Sequence, residues 1–228
     1  MNISRFGLFL LLVLPGLSCP GQASYRFGLL PAVNVNYKVS DDFKLNFKVE
    51  SRQLLKEGIF DGASDGDYEY VLTDISVVAS QKTGVNNSLA WGYLLRIRDS
   101  ELIHRGIQQF TLVRDYSGFR MAHRFRSDQT FFSNAPTDVR ARYRATLQFP
   151  LNGTSVDPSE FYFKLNNEYL QSFQGGTYDL EIRGVPLLGY QFSDSNKLEG
   201  GLDYRWSNFI NNPSDHRFWI IINWFLVI

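Results

Sequence analysis

"DVRARYRATLQFP", Asp138 to Pro150, places Arg140, Arg142 and Arg144 at every second position, with Val139, Ala141, Tyr143, Ala145, Leu147 and Phe149 between and beyond them. Successive side chains of a strand point to opposite faces. As a strand, this stretch has one face of Arg, Arg, Arg, Thr, Gln and another that is apolar throughout. An arginine held against hydrocarbon costs about 2–4 kcal/mol near a bilayer midplane. Three of them would threaten the whole net stability of a typical domain, about 5–15 kcal/mol. The arginine face therefore belongs to water or to a polar interior.

Working outward, the same alternation recurs along the chain. "FKLNFKVESR" (43–52) sets Phe43, Leu45, Phe47 and Val49 against Lys44, Asn46, Lys48 and Glu50. "SLAWGYLLRIR" (88–98) sets Leu89, Trp91, Tyr93, Leu95 and Ile97 against a face ending in Arg96 and Arg98. "EFYFKLNNEY" (160–169) and "KLEGGLDYRWSNF" (197–209) repeat the pattern, with Glu168, Asp203 and Arg205 on their polar faces. About eleven such segments are legible, near 26–39, 43–52, 68–81, 88–99, 106–116, 119–131, 138–150, 160–173, 178–192, 197–209 and 215–228. The stretch 54–67 shows no periodicity and reads as an exposed loop. No helix of useful length and no linker interrupts the series, so residues 24–228 read as one all-β domain.

A soluble barrel alternates as well, with its apolar face inside. Three features favour the inverse arrangement, an antiparallel transmembrane β-barrel with a polar lumen. The segments run about 10–13 residues, close to the 9–11 that a tilted membrane strand needs and longer than the usual 5–6. Aromatic residues gather near segment ends, at Tyr68, Tyr70, Trp206, Phe209, Phe218, Trp219, Trp224 and Phe225, where interfacial girdles belong. The polar faces mix both charges with amides, as a hydrated lumen network would. Bacterial single-chain barrels have even strand numbers, which favours about twelve strands, with ten as the alternative. The last segment, "HRFWIIINWFLVI", suits a barrel-closing strand recognised by the outer-membrane assembly machinery, although Ile228 stands where an aromatic residue is usual.

The start of the chain reads as targeting. Arg5, the apolar run "FGLFLLLVLPGL" and the small-residue site "GQA" form a secretory signal over residues 1–23. The apolar run is too short to span a bilayer as a helix. The single cysteine, Cys19, lies within it. Lipidation of Cys19 is the alternative, weakened by Gly16 and by Pro20. Cleavage after Ala23 leaves no thiol for disulfides or catalysis. The 228-residue chain carries 23 basic and 23 acidic residues, so it gives no polyelectrolyte signal for nucleic acid.

"HRFRSDQTFF" followed by "RARYRATLQFPL" resembles an uncharacterised family of small outer-membrane β-barrels from Bacteroidota, domain of unknown function 2490. His123, Arg124 and Arg126 match its first strand motif, with Asp128 in place of Glu and Thr130 in place of a further Arg. Arg140, Arg142, Tyr143, Arg144 and Pro150 match the second. Glu168 in "NNEY" and Arg183, Gly189 and Tyr190 in "RGVPLLGY" agree as well. The resemblance implies an outer-membrane barrel and no assigned activity.

The candidate functional residues are a lumen-lining ladder: Arg96, Arg98, Arg124, Arg126, Asp128, Arg140, Arg142, Arg144, Glu168, Arg183, Asp203 and Arg205. One reading makes it porin-like, passing or binding small anionic solutes by bidentate contacts. The alternative is a closed, salt-bridged lumen in a structural or partner-docking barrel. A third, an outer-membrane hydrolase, lacks support: His104, His123 and His216 fall on separate segments without metal-ligand spacing, and no Gly-x-Ser-x-Gly turn occurs. No enzyme activity, metal or cofactor is expected. The expected surroundings are outer-membrane lipid.

Overall fold

The computed structural model describes residues 23–211 and 213–228. The expected leader, with Cys19, lies outside the described residues except for Ala23. Twelve strands follow in chain order: β1 (Ser24–Lys38), β2 (Phe43–Ile59), β3 (Ser64–Asp65), β4 (Glu69–Lys82), β5 (Asn87–Arg98), β6 (Glu101–Tyr116), β7 (Phe119–Phe131), β8 (Asp138–Pro150), β9 (Glu160–Gln174), β10 (Thr177–Ser193), β11 (Asn196–Ser207) and β12 (Asp215–Val227). No helix occurs among the described residues.

The strands form one sheet that closes on itself. Neighbours pair antiparallel from β4 round to β12, β2 pairs with β4 and β1, and β1 meets β12 in parallel. The wall therefore has eleven strands, and the two-residue β3 pairs only with the end of β2. The count of about twelve strands holds for the chain. The even number expected for the wall does not, because the seam runs Ser24↔Asp215 to Asn36↔Val227 in the same direction. Even parity is required only when every joint is antiparallel.

Closure leaves two mouths. Ser24, the β5–β6 turn, the 132–137 loop and the start of β12 lie at one, here the Ser24 mouth. Lys38, the 83–86 turn, the 151–159 loop and Ile228 lie at the other, the Lys38 mouth.

The sidedness is that of an inverted barrel. Along the wall, Val33, Val49, Ile75, Trp91, Leu165, Leu188, Ile220 and Ile222 are exposed, while the charged positions between them point inward. Outward aromatics gather at both rims. Tyr116, Phe119 and Phe149 stack in series, and Phe161, Tyr190 and Phe192 continue the Lys38 rim. Tyr25 with Phe60, Phe173 with Tyr178, and Trp206 with Phe209 mark the Ser24 rim. Two residues expected in these girdles turn inward instead. Trp219 is buried and Phe225 lines the Lys38 mouth, because both share the inward parity of Arg217.

The lumen holds an apolar cluster against the β10–β2 side of the wall. Leu30, Leu54, Val185, Leu187, Trp219 and Ile221 form it, with Val71 packed beside them. Leu54 belongs to the stretch expected to be a loop. A register shift at Arg52/Gln53 breaks the alternation there, yet β2 continues to Ile59 and keeps its pairing with β1. Inward aromatics pack over glycines. A methyl group on Gly189 would overlap the ring of Tyr162, and one on Gly28 would lie 2.6 Å from Trp219.

The seam gives a direct test of topology. With Cys19 removed, paired cysteines at Asn36 and Val227 should oxidise to a disulfide, since the two are register partners at the Lys38 mouth. Cysteines at Asn36 and Asp215, at opposite ends of the seam, should stay reduced. Cross-linking in the second pair and not the first would show that the seam is antiparallel.

Candidate functional site: the lumen belt

The arginine face of β8 points into the barrel. On the register row through Arg144, successive strands contribute Arg124, Arg144, Glu168, Arg183, Arg205 and Arg217. The sequence shows arginines alternating along one strand; folding also aligns five of them, with Glu168, across six strands. Like charges directly opposite on neighbouring strands destabilise a sheet. The row can exist only because carboxylates are interleaved with it.

Most of those carboxylates follow a rule. On β10 and β12 each arginine has an acid two residues nearer the Ser24 mouth, Glu181 for Arg183 and Asp215 for Arg217, while on β11 Asp203 lies two residues from Arg205 toward the Lys38 mouth. On β8 and β7 the offset toward the Ser24 mouth gives Asp138 for Arg140 (3.2 Å) and Asp128 for Arg126 (2.7 Å). Arg217 also reaches Glu181 at 3.5 Å, linking the strands.

Two carboxylates carry most of the network. Asp128, fully buried, also meets Arg142 at 2.7 Å and Arg140 at 3.8 Å. Glu168, 1 % exposed, meets Arg144 (2.7 Å), Arg183 (3.2 Å), Arg124 (3.3 Å) and Arg142 (3.8 Å). Arg105, also buried, donates from Nε to Thr130 Oγ1 at 2.9 Å, and Arg140 Nη2 donates to the same hydroxyl at 2.8 Å. The Thr130 hydroxyl thus receives two arginines.

A side chain lining open water keeps a wetted face. Asp128, Glu168, Asp203 and Arg205 do not, so protein fills the barrel at their level. The belt continues on the far wall, where Arg96 grips Asp74 with Nε and Nη2 at 2.8 and 2.7 Å. Arg52 lies 5.1 Å over the Trp219 ring.

Toward the Lys38 mouth the lining becomes small and neutral. Ser76, Ser80, Ser88, Ala90, Gly92, Thr111, Ala122 and Thr146 share the inward parity there. They lead to a cavity of about 850 Å³, rimmed by Lys38, Lys44, Lys82, Arg120 and Lys197 and by Asp41, Asp42, Asp115 and Asp194. On its side, Tyr162 Oη donates to Glu199 Oε1 at 2.7 Å while Lys164 holds the other oxygen.

Of the twelve ladder residues read from sequence, Arg98 lies apart. It pairs with Glu101 across the β5–β6 turn at 3.5 Å and its side chain is partly exposed. Arg96 sits on the far wall with Asp74, and the other ten gather in the belt. Sequence reasoning omitted Arg105, because its segment was begun one residue too late, and Arg217 with Asp215, because the last segment was judged by its isoleucines. It also left out Glu199, which shares the polar parity of Asp203 and Arg205 on the same segment. The histidines face outward in three separate places, each bonded through Nδ1 to a tyrosine: His104 to Tyr93, His123 to Tyr143 (2.8 Å) and His216 to Tyr204 (2.8 Å).

Removing one partner of a buried ion pair costs about 3–5 kcal/mol, because the other charge stays buried. Glu168→Gln should therefore lower the unfolding midpoint in urea far more than Glu57→Gln, whose carboxylate is half exposed beside Arg26. Equal midpoints for the two variants would remove Glu168 from its central place.

A family model described as "Protein of unknown function (DUF2490)" matches residues 27–218, from β1 into β12. No curated protein and no solved structure matches the chain. The matched span includes every residue of the belt. The chain belongs to the DUF2490 family of proteins of unknown function.

Proposed function

We propose that the protein is an outer-membrane β-barrel that binds small anionic solutes at its Lys38 mouth and does not conduct them through. One observation carries this reading: Asp128 and Glu168 lie buried among arginines inside a wall whose outer face is aliphatic and aromatic. An apolar exterior of this extent exceeds what a monomer in water ordinarily leaves uncovered. Strands of 12–17 residues supply more than the length a tilted span needs. Closure of the wall satisfies backbone hydrogen bonds without an exposed edge, which hydrocarbon demands. The rim aromatics match the girdles of such barrels. Placement in lipid would follow insertion by the outer-membrane assembly machinery.

The belt favours capture over passage. An ion crossing it would have to part carboxylates from arginines that have little water to replace them. The mouth beyond it is roomy, polar and rimmed by five cationic side chains and four carboxylates. A barrel with no solute of its own, holding a docking partner, is the second reading, and the same closed belt supports it. Among the described residues the histidines and the belt carboxylates do not converge, so the hydrolase reading gains no support from them.

Fractionation and planar-bilayer recording test the proposal together. The protein should partition with outer membranes and shift mobility on gels when heated, and the purified barrel should give no discrete conductance steps at high salt. Glu168→Gln, if it folds, should remain silent or flicker. Recovery as a soluble periplasmic protein would overturn the membrane reading, and steady anion-selective steps would restore the porin-like one.

A further inference from the structure

Charge in the belt is uneven. On β10, β11 and β12 each belt arginine has its own acid: Arg183, Arg205 and Arg217 against Glu181, Asp203 and Asp215. On β6–β9 six arginines (105, 124, 126, 140, 142 and 144) face three carboxylates, Asp128, Asp138 and Glu168. The surplus on that wall is three positive charges, six less three. Arg183 draws on Glu168 as well, so the carboxylates there are shared still more thinly. Lys164 adds no further surplus, its charge being met by Glu199.

The surplus has a direction. Arg124 and Arg144, register partners on β7 and β8, have side chains 26 % and 27 % exposed, against 10 % for Arg142 and 13 % for Arg140. Both lean on one oxygen of Glu168. Among the described residues, the Nη groups of Arg126 and Arg144 donate to no protein acceptor. Between Arg124 and Arg120, which rims the cavity, the only inward residue on β7 is Ala122. On β8 the inward residues above Arg144 are Thr146 and Gln148. Arg124 and Arg144 thus form the cationic floor of a neutral, small-residue shaft, with Arg126 one row beneath them.

We infer that Arg124, Arg126 and Arg144 form a phosphoryl-binding site at the base of the Lys38 mouth. A carboxylate brings one charge against a surplus of three. A phosphate or phosphate monoester brings up to two, with three oxygens for the guanidinium forks. The inference rests on the solute-binding reading above and names the chemistry of its ligand. A free phosphate, a phosphorylated solute or the phosphorylated headgroup of a lipid entering the mouth would present the same group.

The test uses the full mature chain in detergent, titrated with inorganic phosphate by calorimetry at constant ionic strength set with chloride. A saturable isotherm is expected for the native protein and for Arg26→Gln, whose side chain lies by Glu57 away from the belt. Arg124→Gln should weaken binding about tenfold, the scale of one lost charge-assisted hydrogen bond. Glu168 keeps three other arginines in that variant, so the fold should tolerate it. If it does not fold, Arg124→Lys, which keeps the charge and loses the fork, should still weaken phosphate binding. Native mass spectrometry of protein purified without phosphate separates the sources: a retained phosphorylated lipid marks a headgroup, an empty barrel that takes phosphate marks a soluble ligand. No saturable binding by folded native protein, with no phosphorylated species retained, overturns the inference. If that protein is still in the outer membrane and silent in bilayers, the inference alone fails.

Discussion

Everything inside this barrel depends on keeping Glu168 and Asp128 charged and surrounded. Taking a carboxylate out of water costs several kcal/mol even after relaxation, and an arginine costs a comparable amount. Each becomes tolerable only because the other is there, at 2.7 Å and in a fixed geometry. Alternation in the strands follows from the same requirement. If every second residue faces a filled, charged interior, the residues between face outward, and on β8 those residues are apolar. A single slip in register would turn three arginines out and an aliphatic face in, so the ion pairs hold the register as well as the charge.

Much of this was legible in the residues. The Arg-x-Arg-x-Arg run of β8 and the Arg-x-Arg-x-Asp run of β7 marked two charged faces, and the register brings Arg126, Arg142 and Asp128 together between them. Strand extents were read to within a few residues, except where a bulge hid the end of β2 and where β6 starts early with Glu101. Three things resisted. Periodicity says nothing about the direction in which two strands meet, so the parallel seam was invisible. It does not say which of two aromatic neighbours turns inward, so Trp219 and Phe225 were put on the wrong face. It gives no hint of cross-strand alignment, so the row from Arg124 to Arg217 came only with the register.

The two walls of the lumen divide the work. On β10–β12 acids and bases alternate in pairs and brace the apolar cluster around Trp219. On β6–β9 the arginines outnumber their acids, and Arg124 and Arg144 keep the most exposed side chains among them. The residues that carry the family resemblance, from His123 to Arg144, with Glu168 and Arg183, lie mostly on that second wall or at its edge. Gly189, from the same set, lets Tyr162 lie flat and bring its hydroxyl to Glu199.

The parallel seam has a consequence for how the barrel is made. Every joint from β4 round to β12 can form between strands that follow one another along the chain. The seam cannot, since it joins residues 24–36 to residues 215–227 and waits for nearly the whole sequence. Parallel pairing is also slightly weaker per residue than antiparallel pairing, and contacts this distant in sequence form slowly. The last step in building the wall is therefore its least rewarded one, and until it is taken the sheet has two free edges open to pairing with other chains. The Trp219 ring, packed against Gly28 across that seam, is the latch that makes the late step worth completing.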